Sequence, residues 1–348
     1  MKIIFDCERM KYPYTGLFEY CHKLGTALRQ TKAAKDEVAL YLRKKDQVYF
    51  EKGSEFVNQH GLHKFIFPPL GGKVDIWHAA HQTSWYLPPA SRKIKIVLTV
   101  HDLNFMHEEK SDVKRNQQLK KHQDTMDKAD HIIAISEFTK QDILKYLKVD
   151  KPITVIYNGC DFEVYPDYDT PVFRPSKPFL FAIGTIIPKK NFHVLPALLV
   201  NSDYELILAG REDAAYVEKI RQEARKYGVE SRLHILGPVS QEDKYWYYKN
   251  CTAFLFPSLA EGFGIPVIEA MNFGKPVFLS TRTSLPEIGG EHAYYFENFD
   301  TENMQKTFSE GMQHYKESNP SAEIIAHAQK FSWENCAEQH WKLYKSLL

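Results

Sequence analysis

The chain has 348 residues, against the roughly 100–200 of a usual domain, so two domains are expected. Hydrophobic residues make up 43% and charged residues 26%, a globular composition that excludes a disordered chain. Lys plus Arg number 45 and Asp plus Glu 44, so the net charge of +1 exerts no general attraction for nucleic acid.

The start, MKIIFDCERM, reads as a first strand rather than a leader peptide. Strands are predicted at KIIFD (2–6), VALYL (38–42), KFIF (64–67), DIWHA (75–79), KIVLTV (95–100), HIIAIS (131–136) and ITVIY (153–157). A second series follows at FLFAIG (179–184), ELILAG (205–210), LHILG (233–237), AFLFPS (253–258) and PVFLS (276–280). Several are apolar at consecutive positions, as in parallel strands covered on both faces. Helical spacing separates them: Leu17, Tyr20, Cys21, Leu24 and Leu28 early on, and Phe138, Ile143, Leu144 and Leu147 after a Ser136 cap. This alternation predicts a doubly wound α/β fold. It pauses in the Pro-rich stretch 160–178, which divides an amino-terminal domain (1–165) from a carboxyl-terminal one (166–330). A last helix occupies 331–348, with Trp333, Cys336, Ala337, Trp341, Leu343 and Tyr344 as its less polar positions. In open α/β sheets ligands sit beyond the carboxyl ends of the strands, so the cleft between two such domains is the expected site.

Cys7, Cys21, Cys160, Cys251 and Cys336 are scattered and form no CxxC pair, which predicts a reducing compartment and no zinc framework. With no apolar run of membrane-spanning length, the chain reads as cytoplasmic, with membrane contact only at its surface. His78 and His81 lack a third ligand at a recognisable spacing. Asp167-Tyr168-Asp169 resembles a metal-holding DxD, but two aspartates in a Pro-rich connection are usually turn formers. No metal site is expected. The polar stretch 107–128, with Lys110, Lys114, Arg115, Lys120, Lys121 and Lys128, reads as a solvated helix; the competing reading is a surface for anionic lipid.

The segment PSLAEGFGIPVIEAMNFGKPV (257–277) is the most informative. A strand ends at Ser258, a loop carries Glu261, Gly262, Phe263 and Gly264, Pro266 opens a helix and Gly274 closes it. Loop amides at a helix start suit anions and hydroxyls, and Glu269 lies eight residues beyond Glu261. Either glutamate alone reads as a solvated or dipole-stabilised residue; the full pattern does not. In GTIIPKKNF (184–192), Lys189 and Lys190 stand at the start of a predicted helix, where the dipole disfavours cations unless an anion joins them. Gly16 opens a helix in YPYTGLFEY, Arg211 follows a strand end in LILAGRED, and His101-Asp102 ends a strand in TVHDLNF. A strand-end histidine suits proton handling, and Asp102 would orient its ring.

These segments resemble the retaining glycosyltransferases of family GT4: EGFGIPVIEAMNFGKPV resembles their E-x7-E signature, and GTIIPKKN their phosphate-binding turn. The resemblance implies a GT-B fold, two Rossmann-like domains whose parallel sheets face across a cleft, with the terminal helix crossing back to the first. It implies transfer of a hexosyl group from a nucleotide diphosphate sugar to an acceptor hydroxyl, with retention. By family frequency the donor is GDP-mannose, and the compact length suits cell-surface polysaccharide synthesis on a glycan or lipid-linked acceptor. By the same resemblance Glu261 lies by the donor sugar's hydroxyls and Glu269 binds the ribose. Gly262, Phe263 and Gly264 hold sugar and phosphates through their amides, Lys190 and Lys189 meet the diphosphate, and Arg211 and Gly16 contribute donor contacts. His101 lies near the sugar or orients the acceptor. No cofactor is implied beyond the nucleotide sugar, since fixed cations and amides would replace a metal on the leaving group. The rivals are a non-hydrolysing sugar-nucleotide epimerase and a non-catalytic nucleotide-binding protein.

Overall fold

A computed structural model describes every residue except Tyr14 and Glu109. The chain divides into two compact units, Met1–Gly159 with Phe331–Leu348, and Cys160–Lys330. The junction falls at Gly159–Cys160, slightly ahead of the boundary read from the sequence.

The first unit is built on β1 (Lys2–Asp6), β2 (Glu37–Leu42), β3 (Glu55–Asn58), β4 (Ile76–Ala79), β5 (Lys95–Val100), β6 (His131–Ala134) and β7 (Ile153–Val155). They form one parallel sheet in the order β3-β2-β1-β4-β5-β6-β7. Apolar side chains of the inner strands are buried on both faces, which explains their unbroken hydrophobic runs. Three α-helices follow strands here: α1 (Gly16–Gln30), α2 (Asp112–Met126) and α3 (Glu137–Tyr146). Thr15 Oγ1 accepts from the Phe18 N–H to cap α1, and Ser136 Oγ accepts from the Thr139 N–H to cap α3.

The second unit repeats the plan with β8 (Phe179–Ile183), β9 (Glu205–Ala209), β10 (Leu233–Ile235), β11 (Ala253–Phe256), β12 (Val277–Ser280) and β13 (Tyr294–Phe296). Their parallel order is β10-β9-β8-β11-β12-β13. Its helices are α4 (Ala214–Lys226), α5 (Gln241–Asn250), α6 (Ile265–Met271), α7 (Leu285–Gly289), α8 (Thr301–Ser318) and α9 (Ser321–Ala328). In each sheet the order reverses beside the unit's first strand, at β1/β4 and at β8/β11. Connections leaving those paired carboxyl ends go to opposite faces and leave a crevice between them.

Two local expectations fail. KFIF (64–67) is not a strand: Phe65 and Ile66 face solvent, and Pro68-Pro69 follows at once. The strand of that region is the short, half-exposed β3, whose EFVN carries little apolar signal. After Lys190 the chain forms 3-10 turns rather than an α-helix, because Asn191 is left-handed (φ 60) and Pro196 interrupts the following run.

The chain then ends in α10 (Trp333–Ser346), which belongs to the first unit and packs on α1. Ser332 Oγ caps it, and Trp333, Cys336, Ala337, Trp341, Leu343 and Tyr344 are all buried. A hydrogen-bonded chain fixes its seat. Tyr344 Oη meets His78 Nδ1 at 2.6 Å, His78 Nε2 meets Thr99 Oγ1 at 2.7 Å, and Thr99 Oγ1 meets Tyr20 Oη at 3.0 Å. Burial holds His78 well below the usual histidine range, so the ring is neutral and needs both partners. Among the described residues no helix is long and apolar enough to cross a membrane. Tyr344→Phe leaves a buried His78 nitrogen unpaired; urea denaturation should show a loss of about 1–3 kcal/mol. An unchanged midpoint would mean the chain of hydrogen bonds does not anchor α10.

Candidate active site

In the second unit, the turn leaving β8 and the loop leaving β11 meet at the reversal point. Lys190 Nζ donates to Glu261 Oε1 at 2.5 Å, and Ser258 Oγ donates to the same oxygen at 2.5 Å. The Lys189 carbonyl accepts from the Leu259 N–H at 2.8 Å and lies 3.2 Å from Ser258 Oγ, whose proton goes to Glu261. Lys190 is only 9% exposed, and its ammonium lies 4.5 Å from the centre of the Phe256 ring. Gly184 makes the channel for this side chain: its φ of +148 suits glycine, and a Cβ there would press to 3.2 Å of Lys190 Cε. Losing one member of such a buried pair typically costs about 3–5 kcal/mol.

The turn 261–264 is braced from the segment after β12. Thr283 Oγ1 accepts from the Glu261 N–H at 2.9 Å, and Ser284 Oγ donates to the carbonyls of Glu261 (3.0 Å) and Phe263 (2.9 Å). Gly262, Phe263 and Gly264 are buried. Gly264, at φ +117, swings the chain into α6, and a Cβ there would meet Leu285 at 3.1 Å. Glu269 on α6 is buried; one carboxylate oxygen accepts from Lys244 Nζ at 2.7 Å and the other from Tyr248 Oη at 2.8 Å. Lys189 is half-buried. Arg211 is exposed, and its carbonyl accepts from the Ile186 N–H at 2.7 Å, tying it to the Lys190 turn. The structure thus brings Lys189, Lys190, Arg211, Glu261 and the 262–264 turn to one end of one sheet.

The first unit has a counterpart at β1/β4. Asp6, at the end of β1, accepts from Ser84 Oγ at 2.6 Å and from the Glu8 N–H at 2.9 Å. Arg9 Nη2 donates to His81 Nδ1 at 2.8 Å and to Thr83 Oγ1 at 2.7 Å. Glu8 is buried; Lys11 Nζ donates to its Oε1 at 2.7 Å, while its Oε2 and Arg9 Nε are buried without a hydrogen-bond partner. Burial, then the Glu8 carboxylate, pushes Asp6 well above the usual carboxylate range. Gly16 stands exposed at the start of α1, with open space where a Cβ would be.

His101 lies beside this cluster, its ring stacked on that of His81 with centroids 5.9 Å apart. Its Nε2 bonds to the Ala80 carbonyl at 2.8 Å, and its backbone N–H donates to Gln82 Oε1 at 3.0 Å. The ring is therefore oriented by Ala80 rather than by Asp102, whose carboxylate accepts from the Asn104 N–H at 3.0 Å. The hydrogen-bond pattern assigns both tautomers. The Ala80 carbonyl demands a proton on His101 Nε2, leaving Nδ1 as an acceptor. His81 Nδ1 accepts from Arg9 and from the Thr83 N–H (3.1 Å), which puts its proton on Nε2. The hydrogen bonds thus leave His101 Nδ1 as an acceptor and His81 Nε2 as a donor. Burial lowers His101 to about 4, and burial followed by the Arg9 charge lowers His81 further.

Of the remaining motifs, Asp169 accepts from Trp246 Nε1 at 2.9 Å and pairs with Arg174 at 2.9 Å, while Asp167 stays exposed. Among the described residues no group of three or more His, Cys, Asp or Glu side chains converges as a metal site. Sequence reading missed Glu8, Arg9, Ser258, Lys244, Tyr248, Thr283 and Ser284. Arg9 and Ser258 were findable in principle, since each lies within a few residues of a strand end at a reversal point. Lys244 and Tyr248 reach Glu269 from another helix and leave no local signal.

The unfolded chain's histidines bind protons near 6.5 and native His101 near 4, so the unfolded state holds more protons between those values and acid weakens this unit. Histidine-selective 15N spectra at pH 7 should show His81 and His101 as neutral Nε2–H tautomers, with His101 titrating near 4. A charged ring at pH 7 would contradict the assignment.

Two family models match: "Glycosyltransferase Family 4" over residues 21–164 and "Glycosyl transferases group 1" over residues 169–330. O-antigen chain mannosyltransferase B of Escherichia coli is 27% identical over 100% of this chain and 100% of its own. Sucrose-phosphate synthase of Thermosynechococcus elongatus superposes with a TM-score of 0.75 at 18% identity, covering 100% of this chain and 99% of that one. Anabaena Alr3699/HepE, solved in complex with UDP and glucose, superposes with a TM-score of 0.70 at 18% identity, covering 99% and 100%. The fold is GT-B, and with residues 21–164 and 169–330 matched by the two models, the protein belongs to the group 1, family 4 glycosyltransferases and is an enzyme of hexosyl transfer.

Proposed function

We propose that the enzyme transfers a hexosyl group, with retention, from a nucleotide diphosphate sugar to a hydroxyl of a glycan or lipid-linked acceptor in cell-surface polysaccharide synthesis. Mannose from GDP-mannose is the favoured donor, a choice supported by the O-antigen mannosyltransferase relative. The observation that carries the reading is the buried Lys190–Glu261 pair at the β8/β11 reversal point, the place where a parallel sheet receives an anionic ligand.

Glycosyl transfer breaks the bond between the sugar's anomeric carbon and the diphosphate oxygen, so negative charge grows on the leaving group. Lys190 has three N–H donors and gives one to Glu261; the others are free in number to meet that charge. Because the cation is already oriented and largely out of water, its field acts without reorganisation in the transition state. Lys189, Arg211 and the amides of Gly262, Phe263 and Gly264 add to the same electropositive end, and the second Glu261 oxygen faces the donor sugar. Glu269, held between Lys244 and Tyr248, keeps lone pairs for the ribose hydroxyls. These cations do the work that a divalent metal does elsewhere, so the reaction is read as metal-independent.

On the acceptor side, Glu8, Arg9, His81 and His101 present hydrogen-bonding groups at the first unit's reversal point. His101, neutral and weakly basic, positions a hydroxyl rather than removing its proton. The acceptor proton goes to the departing phosphate oxygen as the new bond forms on the same face.

Glu261→Gln keeps the shape and the Ser258 contact but removes the carboxylate charge. Transfer from GDP-mannose to a polysaccharide-repeat acceptor should fall by about 10²-fold or more in EDTA, and the thermal midpoint should fall as well, because the buried Lys190 loses its counter-charge. Near-normal transfer by the variant, or turnover by wild type only after a divalent ion is restored, would refute the assignment.

A further inference from the structure

Among the described residues, the left-handed backbone region is occupied outside glycine by Lys93, Asn191, Asn201, Thr283 and Asn319. Asparagine tolerates that region, because its short amide can bond locally. Thr283 alone of this set is β-branched, and the two heavy atoms on its Cβ crowd the backbone at a φ of +54. A threonine held there is strained, and such strain persists only where the surroundings enforce it.

The local chain path enforces it here. Thr283 lies in the short connection between β12, which ends at Ser280, and α7, which starts at Leu285. The Arg282 N–H donates to Ser280 Oγ at 3.2 Å and the Leu285 N–H to the Arg282 carbonyl at 3.2 Å, so the turn is closed from both sides. Leu285 is fully buried against Gly264, and Pro286 fixes the first turn of α7. The reversal must be completed within residues 281–284, and position 283 takes the left-handed step.

Glycine would take that step without strain. What threonine has and glycine lacks is a hydroxyl, and Oγ1 accepts from the Glu261 N–H at 2.9 Å. Next to it, Ser284 Oγ shares its proton between the carbonyls of Glu261 (3.0 Å) and Phe263 (2.9 Å), and Ser280 Oγ donates to the Ser258 carbonyl at 2.5 Å. Three hydroxyls of one turn thus grip the loop that leaves β11. Two of them hold the Glu261 main chain on either side of its Cα. With N–H and C=O both held, the direction of the Glu261 Cα–Cβ bond is set, and the carboxylate is delivered to Lys190 Nζ and Ser258 Oγ. The ion pair alone would not fix that direction, since an ammonium on a flexible four-carbon stem follows a moving carboxylate.

We infer that Thr283 is a positioning residue for Glu261: its strained backbone places the hydroxyl that fixes the Glu261 main chain, and through it the carboxylate. This role rests on that of Glu261 under the proposed function, and Thr283 acts on the reaction only through it.

Three substitutions separate the strain from the hydroxyl. Thr283→Ser keeps the hydroxyl, and transfer from GDP-mannose should stay close to wild type. Thr283→Val keeps the branched strain and loses the hydrogen bond, whereas Thr283→Gly loses both. Each of these two should lower kcat by about tenfold or more, with the donor KM changed much less. Their stabilities should differ: in thermal unfolding without substrate, the glycine variant should melt about 2–4 °C above the valine variant. In a Glu261→Gln background, Thr283→Gly should lower kcat by less than about twofold, because the residue it positions is already disabled. Full activity of Thr283→Gly would overturn the proposal, and so would a valine variant that melts at or above the glycine variant. An undiminished Thr283→Gly loss in the Glu261→Gln background would overturn it too, by making Thr283 act independently of Glu261. Wild type that turns over no GDP-mannose would fail the proposed donor instead; the melting order is read without substrate, and by itself it can still overturn the role of Thr283.

Discussion

The second unit's site depends on a cation kept nearly dry beside a carboxylate. Lys190 and Glu261 come from loops far apart in sequence, and their contact spans the point where the second sheet reverses its strand order. Taking an ammonium out of water is costly, and a single carboxylate at one of its protons repays only part of that cost. The surroundings supply the rest: the Phe256 ring beneath it, Ser258 on the shared oxygen, and a backbone clasp between Lys189 and Leu259. A site built this way is rigid before ligand arrives, which is the condition for electrostatic catalysis.

The two units solve one geometric problem with different chemistry. At β8/β11 the bridge is an ion pair; at β1/β4 it is a network of Asp6, Ser84, Arg9, Thr83 and His81. The first suits a ligand of high charge density, the second a ligand of hydroxyls. Burial keeps His81 and the His101 ring stacked on it uncharged near neutral pH, so Arg9 faces two neutral rings rather than two competing cations. That neutrality also revises the role of His101: strand-end placement suggested proton handling, and burial argues for hydrogen bonding instead.

Much of the fold was legible because parallel strands buried on both faces leave continuous apolar runs. β1, β5 and β9 sit where those runs predict them. Legibility failed where apolar residues serve the surface. KFIF looks like a strand because hydropathy cannot distinguish a buried run from one held outward by Phe67 and His63 below it. The turn after Lys190 failed for a different reason: a helix was expected to follow the strand there, but Pro196 and the left-handed Asn191 set the local backbone. Within the site, Glu261, Glu269 and Lys190 were visible because they sit in a contiguous motif. Glu8, Arg9 and Lys244 were not, since their relevance arises only when the sheet order places distant loop ends side by side.

The central claim is that Lys190 is poised for the charge of a diphosphate. Calorimetric titration can isolate this by comparing GDP with GMP, and UDP with UMP, on wild type and on Lys190→Met. Wild type should favour a diphosphate over its monophosphate by about tenfold or more, roughly 1.4 kcal/mol, and the variant should lose that preference while still binding the nucleoside. A Lys190→Met enzyme that keeps the full preference would contradict it.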